Sequence, residues 1–343
     1  MAIAAGLEGG AAATHPDRRN LPIVDFAGVR AGDPAALREA AGRIHAACID
    51  FGFFYLANHG VPQAAIDDAV AVARRFFACP VEQKRAVAIN KNHRGFSEIG
   101  GALMYGARKP DRKEFYTIGL ELAADDPNVL AGEPLRGPNN WPAFLPALRP
   151  AFYRYYEEIG RCGAELLRAI ALSLGIAEDF FAQHYRKRLQ RTQMIHYPPQ
   201  PPDLGDDEFG VAPHTDYGCI TLLWQDDKGG LQVRDRTTRA WIDATPIPGT
   251  LVINVGDLLG RWSNDRFAST PHRVINRSGA ERYSIATFYD PDFAAIVDPR
   301  QLGATAAECR YEPVAAGEHI LKRIADSFEY RRKLAAAPAP GAA

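Results

Sequence analysis

Along this chain the spacing of hydrophobic positions changes several times, and each change marks a change in the expected structure. Leu21–Phe26 (LPIVDF) is a short apolar run that reads as a strand. Asp33 and Pro34 then supply an N-cap and a first-turn proline. Leu37, Ala41, Ile44 and Cys48 follow at helical steps and give that helix one apolar face. Gly52 stops it, and Phe53–Asn58 (FFYLAN) returns as a strand. A further helix is expected over Gln63–Ala78, with Pro80 just beyond it. Residues 89–142, rich in Gly, Pro and Asn, show little periodicity and read as a loop-rich stretch of the kind that forms a pocket wall or lid. From Trp141 to Gly175 the pattern is helical again, carried by Phe152, Tyr156, Ile159, Gly163, Leu166, Ile170 and Leu174.

From Gln190 the period becomes that of strands. Short runs at 190–197, 219–224, 230–234, 240–243, 250–255, 272–276 and 282–289 are separated by Gly, Pro, Asn and Asp turns. Such a series predicts an antiparallel sandwich or barrel. A last helix over about 317–333 carries Ile320, Ile324 and Phe328 on one side. The resulting layout has a tail at 1–20, a helix and strand segment at 21–140 packing on the core, and helices with a β core (190–290) and a final helix at 141–333. A second tail covers 334–343. No internal repeat and no phosphate-binding glycine loop is present.

Composition narrows the function classes. A formal net charge of −1 over 343 residues gives no electrostatic case for nucleic acid or an anionic membrane. No run approaches the roughly 20 apolar residues needed to span a bilayer, and the first twenty residues do not read as a secretory signal. Cys48, Cys79, Cys162, Cys219 and Cys309 lie far apart with no Cys-x-x-Cys pair, which fits reduced thiols in the cytoplasm.

The candidate chemistry lies in the strand-rich part. In VAPHTDYGCITLLWQDD, His214 and Asp216 are two apart, so on a strand both point to one face. In STPHRVINRSGAERYSIATFYD, His272 precedes a turn at Arg277–Ala280, and a hairpin there would set His272 beside the strand carrying Arg282 and Ser284. Two histidines and one carboxylate leave open positions on iron(II), an arrangement that non-haem oxygenases use. A buried Arg282 can hold a ligand carboxylate through two parallel hydrogen bonds, with Ser284 adding a hydroxyl donor. The alternative for Arg282 is a protein carboxylate partner.

On these motifs the chain resembles the isopenicillin-N-synthase-like branch of the iron(II)/2-oxoglutarate-dependent dioxygenases. The match runs from about Leu21 to Lys333 and includes FGFFYLANHGVP, HYPPQP, APHTDYGCITLLWQD, GGLQV, INVGD and STPHRVIN…RYS in order. The resemblance implies a mixed α+β fold with a distorted double-stranded β-helix (jelly-roll) core flanked by helices. It implies iron(II) on His214, Asp216 and His272, and 2-oxoglutarate held by Arg282, Ser284 and Tyr197, with dioxygen as second cosubstrate. The implied reaction hydroxylates, desaturates or cyclises a small molecule and releases succinate and CO2. An iron(II) oxidase of the isopenicillin-N-synthase or ethylene-forming type, which does not use 2-oxoglutarate conventionally, is the alternative. Plant members carry Asn where this chain has Ile195, and Gln193 is the candidate to share that residue's work. Tyr217 and Phe288 are, with Gln193, the candidate substrate-pocket residues. His196 and His59 read as structural, and Asp257 as a turn organiser. The basic cluster Arg108, Lys109, Arg112 and Lys113 reads as a solvated face, with recognition of an acidic substrate as its alternative.

Overall fold

A computed structural model describes residues 20–104, 107–200, 205 and 207–328. Twelve strands build two sheets in this range: β1 (Ile23–Asp25), β2 (Phe53–Ala57), β3 (Gly95–Ser97), β4 (Glu114–Gly119), β5 (Arg191–Tyr197), β6 (Val211–His214), β7 (Ile220–Gln225), β8 (Leu231–Arg234), β9 (Trp241–Asp243), β10 (Thr250–Val255), β11 (His272–Val274) and β12 (Arg282–Tyr289). The major sheet has the order β1-β2-β10-β7-β12-β5-β4-β3, and the minor sheet β6-β11-β8-β9. From β5 onward the chain passes back and forth between the two sheets, as in a jelly roll.

The helices form where their local signals place them. Asp33 caps Pro34–Asp50 by accepting from the Ala35 amide at 2.8 Å. Gly52 ends the turn after it at φ +68°, and a Cβ there would overlap the Ala268 carbonyl oxygen. Helix Gln63–Phe77 follows as expected. The long helix begins only at Leu148, because Pro142 and Pro146 precede it; Pro150 falls in its first turn, where a missing N–H costs little. It packs on the two earlier helices, and Gly163 lets the Tyr289 ring of β12 approach its backbone. One face of the major sheet is therefore covered by helix, and the other faces the minor sheet.

Three expectations are corrected. The loop-rich reading of 89–142 misses β3 and β4; β4 is buried at all six positions, so no polar–apolar alternation marked it. Segments 272–276 and 282–289 do not form a hairpin. β11 pairs with β6 and β8 in the minor sheet, whereas β12 pairs with β5 and β7 in the major one. The intervening turn carries the chain across the sandwich, with Asn276 Nδ2 donating to the carbonyls of Pro198 (3.1 Å) and Ala280 (2.8 Å). The final helix spans Ala316–Ser327; the remainder of the expected 317–333 run beyond Phe328, and the tails at 1–19 and 334–343, lie outside the described residues. No helix among the described residues is long and apolar enough to cross a membrane.

Candidate metal centre

Antiparallel pairing of β6 with β11 sets His214 directly opposite His272, with ring centroids 4.2 Å apart. Each Nδ1 donates to a backbone carbonyl two residues earlier, Ala212 at 2.8 Å and Thr270 at 3.2 Å. That bond places the proton on Nδ1 and leaves the Nε2 lone pair free, the tautomer a metal needs. Both Nε2 atoms point at Asp216 Oδ1, at 3.6 and 3.7 Å, beyond hydrogen-bond range. The ligand atoms of His214, Asp216 and His272 all lie within 4.8 Å of one another, a group that can hold one metal ion.

Asp216 is not on a strand. β6 ends at His214, and Asp216 lies in the loop beyond it, so strand alternation does not aim the pair as the sequence implied. Two groups on the major sheet aim the carboxylate instead. Its Oδ2 accepts from Thr221 Oγ1 at 2.6 Å and from Asn254 Nδ2 at 2.7 Å, leaving Oδ1 toward the imidazoles. Its backbone carbonyl accepts from the Asp257 amide at 2.7 Å. Burial works against the Asp216 charge, but the facing imidazoles and the hydrogen bonds outweigh it and hold the carboxyl well below its ordinary range. Burial, with the like charge of His214, pushes His272 down to about 4, so its ring is neutral at pH 7.

Pairing across the major sheet puts the remaining candidates on the same interior face. Arg282, Ser284, Ala286 and Phe288 of β12 lie opposite Tyr197, Ile195, Gln193 and Arg191 of β5. Ser284 pairs with Gln225 and Phe288 with Thr221, so the Arg282/Ser284 end lies about 13 Å along the sheet from the row that holds Asp216. The Arg282 guanidinium is fully buried, 4.6 Å from the Tyr197 ring centroid. Nε donates to the Gly229 carbonyl at 2.6 Å and Nη2 to Gln225 Oε1 at 3.2 Å. Nη1 has no hydrogen-bond partner, and neither has the Ser284 hydroxyl. No carboxylate pairs with Arg282 among the described residues. Two adjacent buried donors without acceptors are costly unless a ligand fills them. Ile195 lies beside Ser284, where its side chain offers no hydrogen bond, and Gln193 is the next residue of β5 on that face.

Other candidates divide. Tyr217 is tied by its hydroxyl to Ser327 and to Met104 Sδ (3.8 Å), so two segments far apart in the chain close over it. Phe288 lies under the Arg191 guanidinium at 5.1 Å. His196 pairs with Glu114 at 2.8 Å on the helix-covered face, and His59 Nδ1 accepts from the Val61 amide, both structural as expected. Asp257 does more than organise a turn: it accepts from Ser269 Oγ at 2.6 Å, Thr215 Oγ1 at 3.3 Å and Arg323 at 3.1 Å. The basic cluster splits, because Lys109 and Arg112 pair at the surface with Asp207 and Glu208 whereas Lys113 is buried. Sequence reasoning missed Thr221 and Asn254. Asn254 lies in the quoted INVGD motif, but only the fold connects it to Asp216.

This metal cluster in a jelly roll defines a class, the mononuclear metal-dependent oxygenases of the double-stranded β-helix type. Two family models match the chain: the N-terminal region of non-haem dioxygenases in morphine synthesis over residues 21–144, and the 2OG-Fe(II) oxygenase superfamily over residues 177–291. A 2-oxoglutarate-Fe(II) type oxidoreductase of Emericella nidulans is 35% identical over 92% of this chain and 93% of its own length. A 1-aminocyclopropane-1-carboxylate oxidase of Dictyostelium discoideum is 31% identical over 82% of this chain and 84% of that protein. Among solved structures, a full-length Neurospora crassa protein in complex with alpha-KG and thymine superposes with a TM-score of 0.79 at 31% identity, covering 92% of this chain and 99% of that one. The chain belongs to the 2OG-Fe(II) oxygenase superfamily and is a 2-oxoglutarate-dependent dioxygenase.

Proposed function

We propose that His214, Asp216 and His272 hold the iron(II), that Arg282 and Ser284 hold the distal carboxylate of 2-oxoglutarate above Tyr197, and that the oxidised substrate is a small molecule. The observation that carries this reading is the pair of orphaned buried donors, Arg282 Nη1 and Ser284 Oγ, on the same interior face as the groups that orient Asp216. With iron, dioxygen and 2-oxoglutarate bound, the site supplies oxidative decarboxylation to succinate and CO2 coupled to substrate oxidation. The chain's own part is positional. Thr221 and Asn254 orient one carboxylate, two backbone carbonyls set the imidazole tautomers, and Arg282 with Ser284 fixes the far end of the cosubstrate. Tyr217, Met104 and Ser327 cover the loop that carries Asp216 and keep water from it. The relatives' substrates differ, so the compound oxidised depends on this chain's own pocket wall. The five cysteines are all free thiols, in keeping with a reducing, cytoplasmic setting.

Anaerobic titration of the iron(II) protein with 2-oxoglutarate tests the reading, since chelation by the oxo acid gives a visible charge-transfer band. Asp216→Ala is expected to lose iron. Arg282→Ala is expected to keep iron and to weaken 2-oxoglutarate binding by roughly 30-fold or more, the cost of truncating one partner of a buried charged pair. No band, or an Arg282→Ala variant that binds 2-oxoglutarate as tightly as the unsubstituted protein, would overturn the assignment of Arg282 and Ser284 to the cosubstrate.

A further inference from the structure

Beside the cosubstrate clamp, the interior face continues onto β4. Lys113 immediately precedes that strand, and its ammonium lies 5.9 Å from the centroid of the Phe115 ring, which shares the face with Thr117. Pairing places Phe115 opposite Ile195 and Thr117 opposite Gln193, so this wall adjoins the one bearing Arg282 and Ser284. Lys113 is only 8% exposed. Among the described residues its one partner is Asp111 Oδ2, at 3.3 Å. Asp111 is itself held in place, because Oδ1 accepts from the Ala212 amide at 3.0 Å, two residues before His214. The contact is an ion pair without hydrogen-bond geometry, since Asp111 Oδ2 has no hydrogen-bond partner, so it uses none of the three N–H donors of the ammonium. Further along the same wall, the Thr117 hydroxyl is fully buried and has no hydrogen-bond partner.

We infer that Lys113 is a specificity-determining residue that receives a carboxylate of the primary substrate, with the Thr117 hydroxyl as a second contact, so that the enzyme oxidises a small organic acid. This rests on the iron and 2-oxoglutarate assignment above and adds the substrate class to it. A charged acceptor is the natural occupant of a desolvated ammonium with unused donors, since such hydrogen bonds are roughly twice as strong as neutral ones. Asp111 holds the ammonium in place without saturating it.

The test uses the full chain loaded anaerobically with iron(II) and 2-oxoglutarate. The probes are small monocarboxylic acids, each matched with its primary amide. Binding is read as perturbation of the charge-transfer band, and turnover in air as succinate release. In the wild type, acids are expected to perturb the band and raise succinate release while their amides do so about tenfold less. K113M should abolish that preference and K113R should retain part of it, with the 2-oxoglutarate Kd unchanged in both. The double variant D111N/K113M removes both charges and covers the case in which K113M alone fails to fold. Amides as effective as acids, no response to any acid, or an intact preference in both Met variants would overturn the inference. A weakened 2-oxoglutarate Kd in K113M would also overturn it, by placing Lys113 on the cosubstrate. Failure of the underlying assignment looks different: no charge-transfer band forms in the wild type before any probe is added.

Discussion

Asp216 shows how much a single side chain owes to its neighbours. Both of its oxygens are committed, one to Thr221 and Asn254 and the other toward the two imidazoles. Groups that orient a metal's ligands typically matter about 10–100-fold in metal affinity. Asn254→Ala is accordingly expected to weaken iron(II) binding by about that factor while leaving the fold intact. Anaerobic metal titration checks this, and an unchanged Kd would remove Asn254 from the positioning role. Arg282 teaches the same lesson through what is missing, because it is buried with no carboxylate partner among the described residues, whereas the equally buried Arg191 is paired with Asp290.

Among the elements, the short loop between β6 and β7 matters most for the site. It carries Asp216 outside any strand and packs so tightly that a Cβ on Gly218 would enter the Asp290 carboxylate. Asp290 in turn accepts from the Cys219 amide at 2.9 Å and pairs with Arg191. Gly218→Ala should therefore displace the loop, lowering iron affinity more than stability, which parallel metal titration and thermal unfolding would separate. Equal losses in both would mean that the loop supports the fold rather than the site. Asp257 works at this scale too, joining the segments that carry His214 and His272 to the final helix through Thr215, Ser269 and Arg323.

For the whole molecule, the two sheets meet at the candidate metal centre, and burial there has a pH consequence. His272 is lowered from 6.5 to about 4, chiefly by desolvation. Between those values the unfolded chain takes up a proton that the folded, metal-free protein refuses. The His272 contribution to apo-protein stability should thus fall as pH drops from 6.5 to about 4 and be complete below that, where loss of the depressed Asp216 carboxylate continues the decline. His59, His184 and His319 are shifted in the same direction by burial and add to the slope. Urea midpoints of the apo-protein across that range measure it, and His272→Asn should flatten part of the fall. A flat profile in the unsubstituted protein would contradict the burial of these imidazoles.

The identities and order of the chemical groups were legible from residue type and spacing alone. Two histidines, an aspartate and an Arg-x-Ser pair stand out in this way, and the helices through caps and periodicity, because these are local properties. The β-rich second half was legible too, since turn residues interrupt its strands at short intervals. Which sheet each strand joined was settled by packing. β11 and β12, neighbours in sequence, lie in different sheets, and β4 was hidden because a strand buried on both faces shows no alternation. Packing likewise made Thr221 and Asn254 the groups that aim Asp216, and drew Lys113 alone out of its basic cluster into the interior. Those outcomes depend on pairing and contact between residues far apart in the chain, and local spacing carries no record of them.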